Sequence, residues 1–280
     1  MRLARWGAAG EERPGIFASD GTLRDLTEIV ADITGDVLSD DQLARIRAVD
    51  ALGLPVVADG VRIGPPVGNI GKLVCIGLNY RDHAAEAKLS EPKEPIIFLK
   101  ATSAIVGPND PIRIPGNAEK VDWEVELGVV VGRHASRVDE AQALAHVAGY
   151  CVFNDVSERA WQMERGGQWD KGKSADTFAP IGPWLVTRDE VADPQALRLW
   201  LDVDGVRRQN GSTADMIFGV AFLVAYVSQF MSLQPGDVIA TGTPAGVGMG
   251  CRPPVYLRAG QTMSLGISGL GEQRSRTVMG

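Results

Sequence analysis

The sequence predicts a predominantly β chain with a few peripheral helices, preceded by a small N-terminal α+β domain. Three observations support this. Beyond residue 68 the chain is a succession of short β-branched runs separated by Gly and Pro. Helix-length patterning there is confined to Asp139–His146 and Met216–Met231. The first 68 residues instead mix short strand signals with one polar helix. A chain of 280 residues is long enough to bury one large core, or a large core with a small appended domain.

In the N-terminal domain (1–68), strands are predicted at Arg2–Trp6 and Pro14–Ala18, with Asp20-Gly21 as a turn signal. The stretch from Asp40 to Ile46 reads as a helix, because the side-chain oxygens of Ser39-Asp40 can cap its first free N–H groups. Gly64-Pro65-Pro66-Val67-Gly68 follows as a linker, since two prolines and two glycines continue neither a helix nor a central strand. The main domain (69–280) then supplies strand candidates Leu73–Ile76, Ile96–Leu99, Val125–Val131, Ala148–Phe153, Trp184–Thr187, Leu199–Val203, Val238–Thr241 and Met263–Ile267. Internal repeats and low-complexity tracts are absent.

Composition narrows the function. The 28 basic and 35 acidic residues give a net charge of -7, and no Lys/Arg-rich block occurs, which argues against nucleic-acid or anionic-membrane binding. The longest apolar run, around Phe218 to Val227, is too short to span a bilayer, and the N-terminus lacks an apolar signal region; a cytoplasmic location is the expectation. Cys75, Cys151 and Cys251 are scattered, without CxxC spacing, which supports neither a disulfide framework nor a zinc ribbon. Cys75 and Cys151 read as small core residues.

The chemistry-bearing stretch is Asp122-Trp123-Glu124-Val125-Glu126-Leu127-Gly128. Side chains at i and i+2 of a strand leave by the same face, so Glu124 and Glu126 repel each other and lose hydration unless a cation compensates. The alternative is a solvent-facing strand with acidic outward positions. A third acid, Asp155, ends the apolar run Tyr150–Asn154 and is read either as a metal ligand or as a helix cap. Three oxygen ligands suit Mg²⁺, Mn²⁺ or Ca²⁺ better than Zn²⁺. Arg159 and Gln162, at i+4 and i+7 from Asp155, would share a helix face with it, as donors for an anionic substrate or as a solvated face. His83 and Glu86 are neighbours on a short helical stretch, where a carboxylate fixes the imidazole tautomer and raises its basicity. Lys100, Lys173 and Thr241 lie at the ends of apolar or small-residue stretches. The Gly-rich segment 242–250 lacks the ending of a phosphate-binding loop, which argues against nucleotide binding.

Taken together, these segments resemble the fumarylacetoacetate hydrolase family. The resemblance is carried in family order by Gly77–His83, Phe98-Leu99-Lys100, Glu124-x-Glu126 with Gly128, Asn154–Ser157 with Arg159 and Gln162, Lys171–Ser174 before Asp176-Thr177-Phe178, and Thr241–Pro244 with Gly246-Val247-Gly248. It covers roughly residues 70 to 270. It implies a mixed β-sandwich or β-roll catalytic domain, paired as a homodimer, with Mg²⁺ or Mn²⁺ held by Glu124, Glu126 and Asp155. It further implies a lid whose His83–Glu86 dyad activates water, and Lys173 beside a developing enolate. Arg159, Gln162 and Thr241, with Lys100 and Tyr80, would surround a 2-oxo acid substrate. Lys171 is offset by two from the matching lysine, and Ala175 stands where many relatives carry Phe.

The implied reaction is hydrolysis of a 2,4-diketo acid to pyruvate and a carboxylic acid. The N-terminal segment is similar to that of bacterial relatives acting on 2,4-diketo-3-deoxy sugar acids, many of them named ureidoglycolate lyase. Without a hydrolytic water the same site would decarboxylate a β-keto acid such as oxaloacetate, and a silent binding protein would retain the fold. The dyad favours hydrolysis.

Overall fold

The computed structural model describes residues 1–280. Its strands are β1 (Arg2–Trp6), β2 (Arg13–Phe17), β3 (Leu23–Asp25), β4 (Leu73–Gly77), β5 (Ile96–Lys100), β6 (Ile105–Val106), β7 (Ile112–Ile114), β8 (Val121–Asp122) and β9 (Val125–Val131). There follow β10 (Val147–Asn154), β11 (Ser157–Glu158), β12 (Ala179–Thr187), β13 (Arg198–Val203), β14 (Val206–Ser212), β15 (Val238–Ala240), β16 (Thr262–Ile267) and β17 (Gly271–Met279). The α-helices are short: α1 (Asp40–Arg47), α2 (Arg81–Glu86), α3 (Glu140–Ala143), α4 (Arg159–Glu164), α5 (Asp170–Lys173) and α6 (Val220–Phe230). The chain is thus mainly β with peripheral helices.

The strands form a ten-stranded sheet in the order β3-β2-β1-β12-β10-β9-β15-β4-β5, with β6 added beside β12. A five-stranded sheet, β14-β13-β16-β17-β7, packs against it, and β8 pairs with β11. Strand β9 is buried along its whole length, and its alternation divides the protein. Val125, Leu127, Val129 and Val131 join a 35-residue core with Leu199, Leu201, Met263 and Leu265 of the smaller sheet and Leu223, Val224 and Val227 of α6. The opposite face meets a 22-residue core that includes Cys75, Cys151 and Phe153. Burying each large aliphatic side chain contributes about 1.5–3 kcal/mol, so these two cores are the main source of stability.

The N-terminal segment is tied into this second layer. Strand β1 pairs antiparallel with β12, Leu3 opposite Leu185, and Leu3, Ile16, Leu26, Leu43 and Ile46 share the 22-residue core with the main sheet. Ser39 caps α1 by accepting from the Gln42 N–H. Two helical expectations change. The stretch Asp139–His146 divides into α3 and one 3-10 turn, and the Met216–Met231 helix begins only at Val220, after Gly219 as its cap. Asp155 also lies outside the helix carrying Arg159 and Gln162. Ser157-Glu158 pairs with β8 instead, and the Glu158 carboxylate caps α4 by accepting from the Trp161 N–H at 2.6 Å.

Candidate active site

Pairing of β9 with β10 places Glu126 opposite Phe153, and Glu124 stands just before β9 beside the end of β10. The Asp155 N–H donates to the Glu124 carbonyl at 2.9 Å, and the Glu124 N–H donates to the Asn154 side chain at 3.2 Å. These bonds bring the third acid to the pair. One carboxylate oxygen from each of Glu124, Glu126 and Asp155 lies within 4.8 Å of the others, and all three side chains are buried.

Three cations surround the triad. Lys173, at the end of α5, bridges Glu124 at 2.7 Å and Asp155 at 2.8 Å. Lys100, at the end of β5, holds the other Asp155 oxygen at 2.5 Å and donates to the Val156 carbonyl. Arg159 forks between Asp122 at 2.8 Å and Glu124 at 2.6 Å, while its Nη1 donates to the Gln162 side chain. Glu126 pairs with no cationic side chain; it accepts only the Gly242 N–H, at 2.9 Å. Gly242 has φ of +97°, and a Cβ there would stand 2.8 Å from that of Asn79, so glycine is required for this donor.

The electrostatics follow from this asymmetry. Burial pushes the Glu124 carboxyl up, but Arg159 and Lys173 outweigh it and hold the group at about 2. Burial, reinforced by the charges of Asp155 and Glu124, drives Glu126 well above the usual carboxylate range. Burial pulls Lys173 down, yet Asp155 and Glu124 leave it above its ordinary value; for Lys100, burial prevails and lowers it. Counted as ionised, the four buried acids including Asp122 exceed the three buried bases by one charge. An all-oxygen donor set with an unpaired carboxylate fits a hard divalent ion such as Mg²⁺ or Mn²⁺, held by Glu124, Glu126 and Asp155.

Glu124 and Glu126, though not Asp155, line a cavity of about 130 Å³ together with His83, Arg159, Gln162 and Lys173. His83, on α2, has its Nδ1 3.2 Å from the Glu86 carboxylate, whose other oxygen accepts the Gly246 N–H at 3.0 Å. Three expected substrate residues lie outside the lining. Lys100 sits behind Asp155, the Thr241 hydroxyl donates to the Leu127 carbonyl with Thr243 lining the cavity instead, and the Tyr80 hydroxyl is buried without a partner. Burial moves the Tyr80 phenol well above its usual range.

Sequence reasoning assigned no role to Asp122. One of its oxygens accepts the Trp123 and Gly248 N–H groups at 2.8 and 2.6 Å, and the other accepts Arg159 Nε and the Met249 N–H at 2.8 and 3.0 Å. It therefore joins the Gly-rich loop to the arginine that holds Glu124. The signal was its place two residues before Glu124, continuing the acidic alternation.

The layered β fold thus brings a buried carboxylate cluster and a His–Glu pair to one cavity. The chain belongs to the family described as fumarylacetoacetate (FAA) hydrolase C-terminal, whose model matches residues 72–278. It is 64% identical over 278 residues, 99% of either chain, to a Burkholderia orbicola protein named only as a hydrolase. Among solved structures, the fumarylacetoacetate hydrolase of psychrophilic Exiguobacterium antarcticum is 35% identical with a TM-score of 0.87, over 100% of both chains. A maleylpyruvate hydrolase from Sphingobium sp. SYK-6, in complex with manganese(II) and pyruvate, is 30% identical with a TM-score of 0.83, also over 100% of both.

Proposed function

We propose that this chain is a divalent-metal-dependent hydrolase that cleaves the C3–C4 bond of a 2,4-diketo acid, releasing pyruvate and a carboxylic acid. The observation that carries the reading is that His83, backed by Glu86, lines the same cavity as Glu124 and Glu126. The similar maleylpyruvate hydrolase, solved with manganese(II) and pyruvate, supports both the cofactor and the product. Mg²⁺ or Mn²⁺ held by Glu124, Glu126 and Asp155 supplies electrophilic polarisation of the 2-oxo group when bound.

The chain's own residues supply the rest. Donation of Nδ1–H to Glu86 leaves Nε2 of His83 as the basic nitrogen, which takes a proton from water. The hydroxide adds to the 4-carbonyl carbon. The C3–C4 bond then breaks, its electron pair passes to C3 as the pyruvate enolate, and protonation gives pyruvate. The Lys173 ammonium stabilises the negative charge that develops. The working form in this reading is a cytoplasmic homodimer, which light scattering on the purified protein checks for assembly.

Pyruvate release from a panel of 2,4-diketo acids with Mg²⁺ or Mn²⁺ tests the proposal. Glu124→Ala is expected to abolish release, and His83→Ala to lower kcat by about 10²–10⁴-fold. Wild-type rates in either variant overturn it. Oxaloacetate decarboxylation that survives His83→Ala and exceeds diketo acid hydrolysis would assign the site to decarboxylation instead.

A further inference from the structure

We infer that the acyl group of the substrate is apolar, neither polyhydroxylated nor ending in a second carboxylate. The inference rests on reading the site as a 2,4-diketo acid hydrolase and concerns the part of the cavity that the keto acid moiety leaves free.

Part of the polar lining is linked at the acids. Arg159, Lys173 and Gln162 are joined to Glu124 or to one another, and they lie with Glu126 at the triad. Thr243 has its hydroxyl committed, donating to the Val125 carbonyl and accepting from Gln209. Much of the remaining wall is hydrocarbon or aromatic: Leu89, Ile96, Phe98, Met163, Trp169 and Met249. These residues come from β5, α4, the segments around α2 and α5 and the Gly-rich loop that carries Met249, and the Trp169 indole N–H is the one strong hydrogen-bonding group among their side chains.

Two consequences follow for recognition. A polyhydroxylated chain would find at most the Trp169 indole N–H along this wall, and each further hydroxyl buried against it without a partner costs about tenfold in affinity or more. An apolar acyl group is the alternative to the sugar-acid chain expected from the N-terminal segment. A second carboxylate would find no free cation, because Arg159 and Lys173 are the only basic side chains lining the cavity besides His83, and both are held by buried acids.

The test measures kcat/KM for three 2,4-diketo acids of matched length whose acyl parts are alkyl, polyhydroxylated and carboxyl-terminated. The alkyl compound is expected to exceed both others by at least tenfold. A smaller margin, or preference for either competitor, overturns the inference while leaving the hydrolase reading intact. Pyruvate release from none of the three overturns both. Met163→Arg, at a half-exposed position on α4, places a cation at the rim and is expected to raise kcat/KM for the carboxyl-terminated compound at least fivefold relative to the alkyl one. Leu89→Arg makes the same change from the other side, in case the first variant folds poorly. No relative gain in either folded variant refutes the claim that the missing cation sets the discrimination.

Discussion

Replacing Asp122 by Asn keeps the side chain's size and removes its charge, and the outcome can be worked from its hydrogen bonds. Each carboxylate oxygen accepts two N–H groups, so an amide nitrogen in either position leaves two donors without an acceptor. If the oxygen facing Arg159 and Met249 is the one replaced, a charged and a neutral hydrogen bond are lost together, with the guanidinium still buried. At about 1.5–3 kcal/mol for the charged bond and about 1 kcal/mol for the other, the loss is about 3 kcal/mol. For a domain of this size that lowers Tm by about 6–12 °C. The loosened Arg159 no longer fixes Glu124, and metal affinity should fall about 10–100-fold, as it does when groups supporting a ligand are removed. Thermal melting with and without Mn²⁺, together with calorimetric titration of Mn²⁺, measures both effects. A Tm within about 2 °C of wild type with unchanged Mn²⁺ affinity would refute the role assigned to Asp122.

Other outcomes follow from the same geometry. Because burial and like charges raise the Glu126 carboxyl, ionising it costs the metal-free protein stability as pH rises above the ordinary value of 4.5. Glu126→Gln should therefore raise Tm in chelator at neutral pH while abolishing tight Mn²⁺ binding, and a lower Tm in chelator contradicts this. Glu124, held at about 2, has the opposite sign: its contribution is complete above 4.5 and is lost as pH falls toward 2, so acid unfolding of the metal-free chain, followed by circular dichroism, should include that window. In Gly250→Ala the new methyl would stand 2.4 Å from the Glu86 carboxyl carbon and displace that flexible side chain. The expected result is a lower kcat with Tm and Mn²⁺ affinity unchanged; an unaltered kcat shows that the Glu86 position is not critical.

The parts of the fold legible in the sequence are those whose inward residues are apolar. Val125–Val131 and Met263–Ile267 appear as strands because β-branched and aliphatic side chains line them. Strand β17 does not, since its inward residues are Gln273, Ser275 and Thr277, which hydrogen-bond to backbone carbonyls such as those of Val152, Pro108 and Arg258. Glu124 and Glu126 were conspicuous because acids interrupt an apolar run. What Asp155 joins could not be read from spacing, because the intervening bond from its N–H to the Glu124 carbonyl is a product of sheet pairing. Spacing does not show that Arg159, besides lining the cavity, engages two buried acids. The cavity wall was invisible for a different reason: Leu89, Phe98, Met163, Trp169 and Met249 look like ordinary apolar residues until separate segments converge.

The two faces of β9 also bear on how the chain finds its sheet alignment. A slip of one residue against β10 and β15 would turn Glu124 and Glu126 into the 35-residue apolar core and send the valines toward Lys173 and Arg159. Glu124, parted there from Arg159 and Lys173, would cost several kcal/mol, so the misaligned sheet is disfavoured. The acids that would grip a metal thus also act as an alignment key for the central strand. A chain with both replaced by leucine would lose that safeguard along with its chemistry, and would be expected to refold into mixed strand alignments.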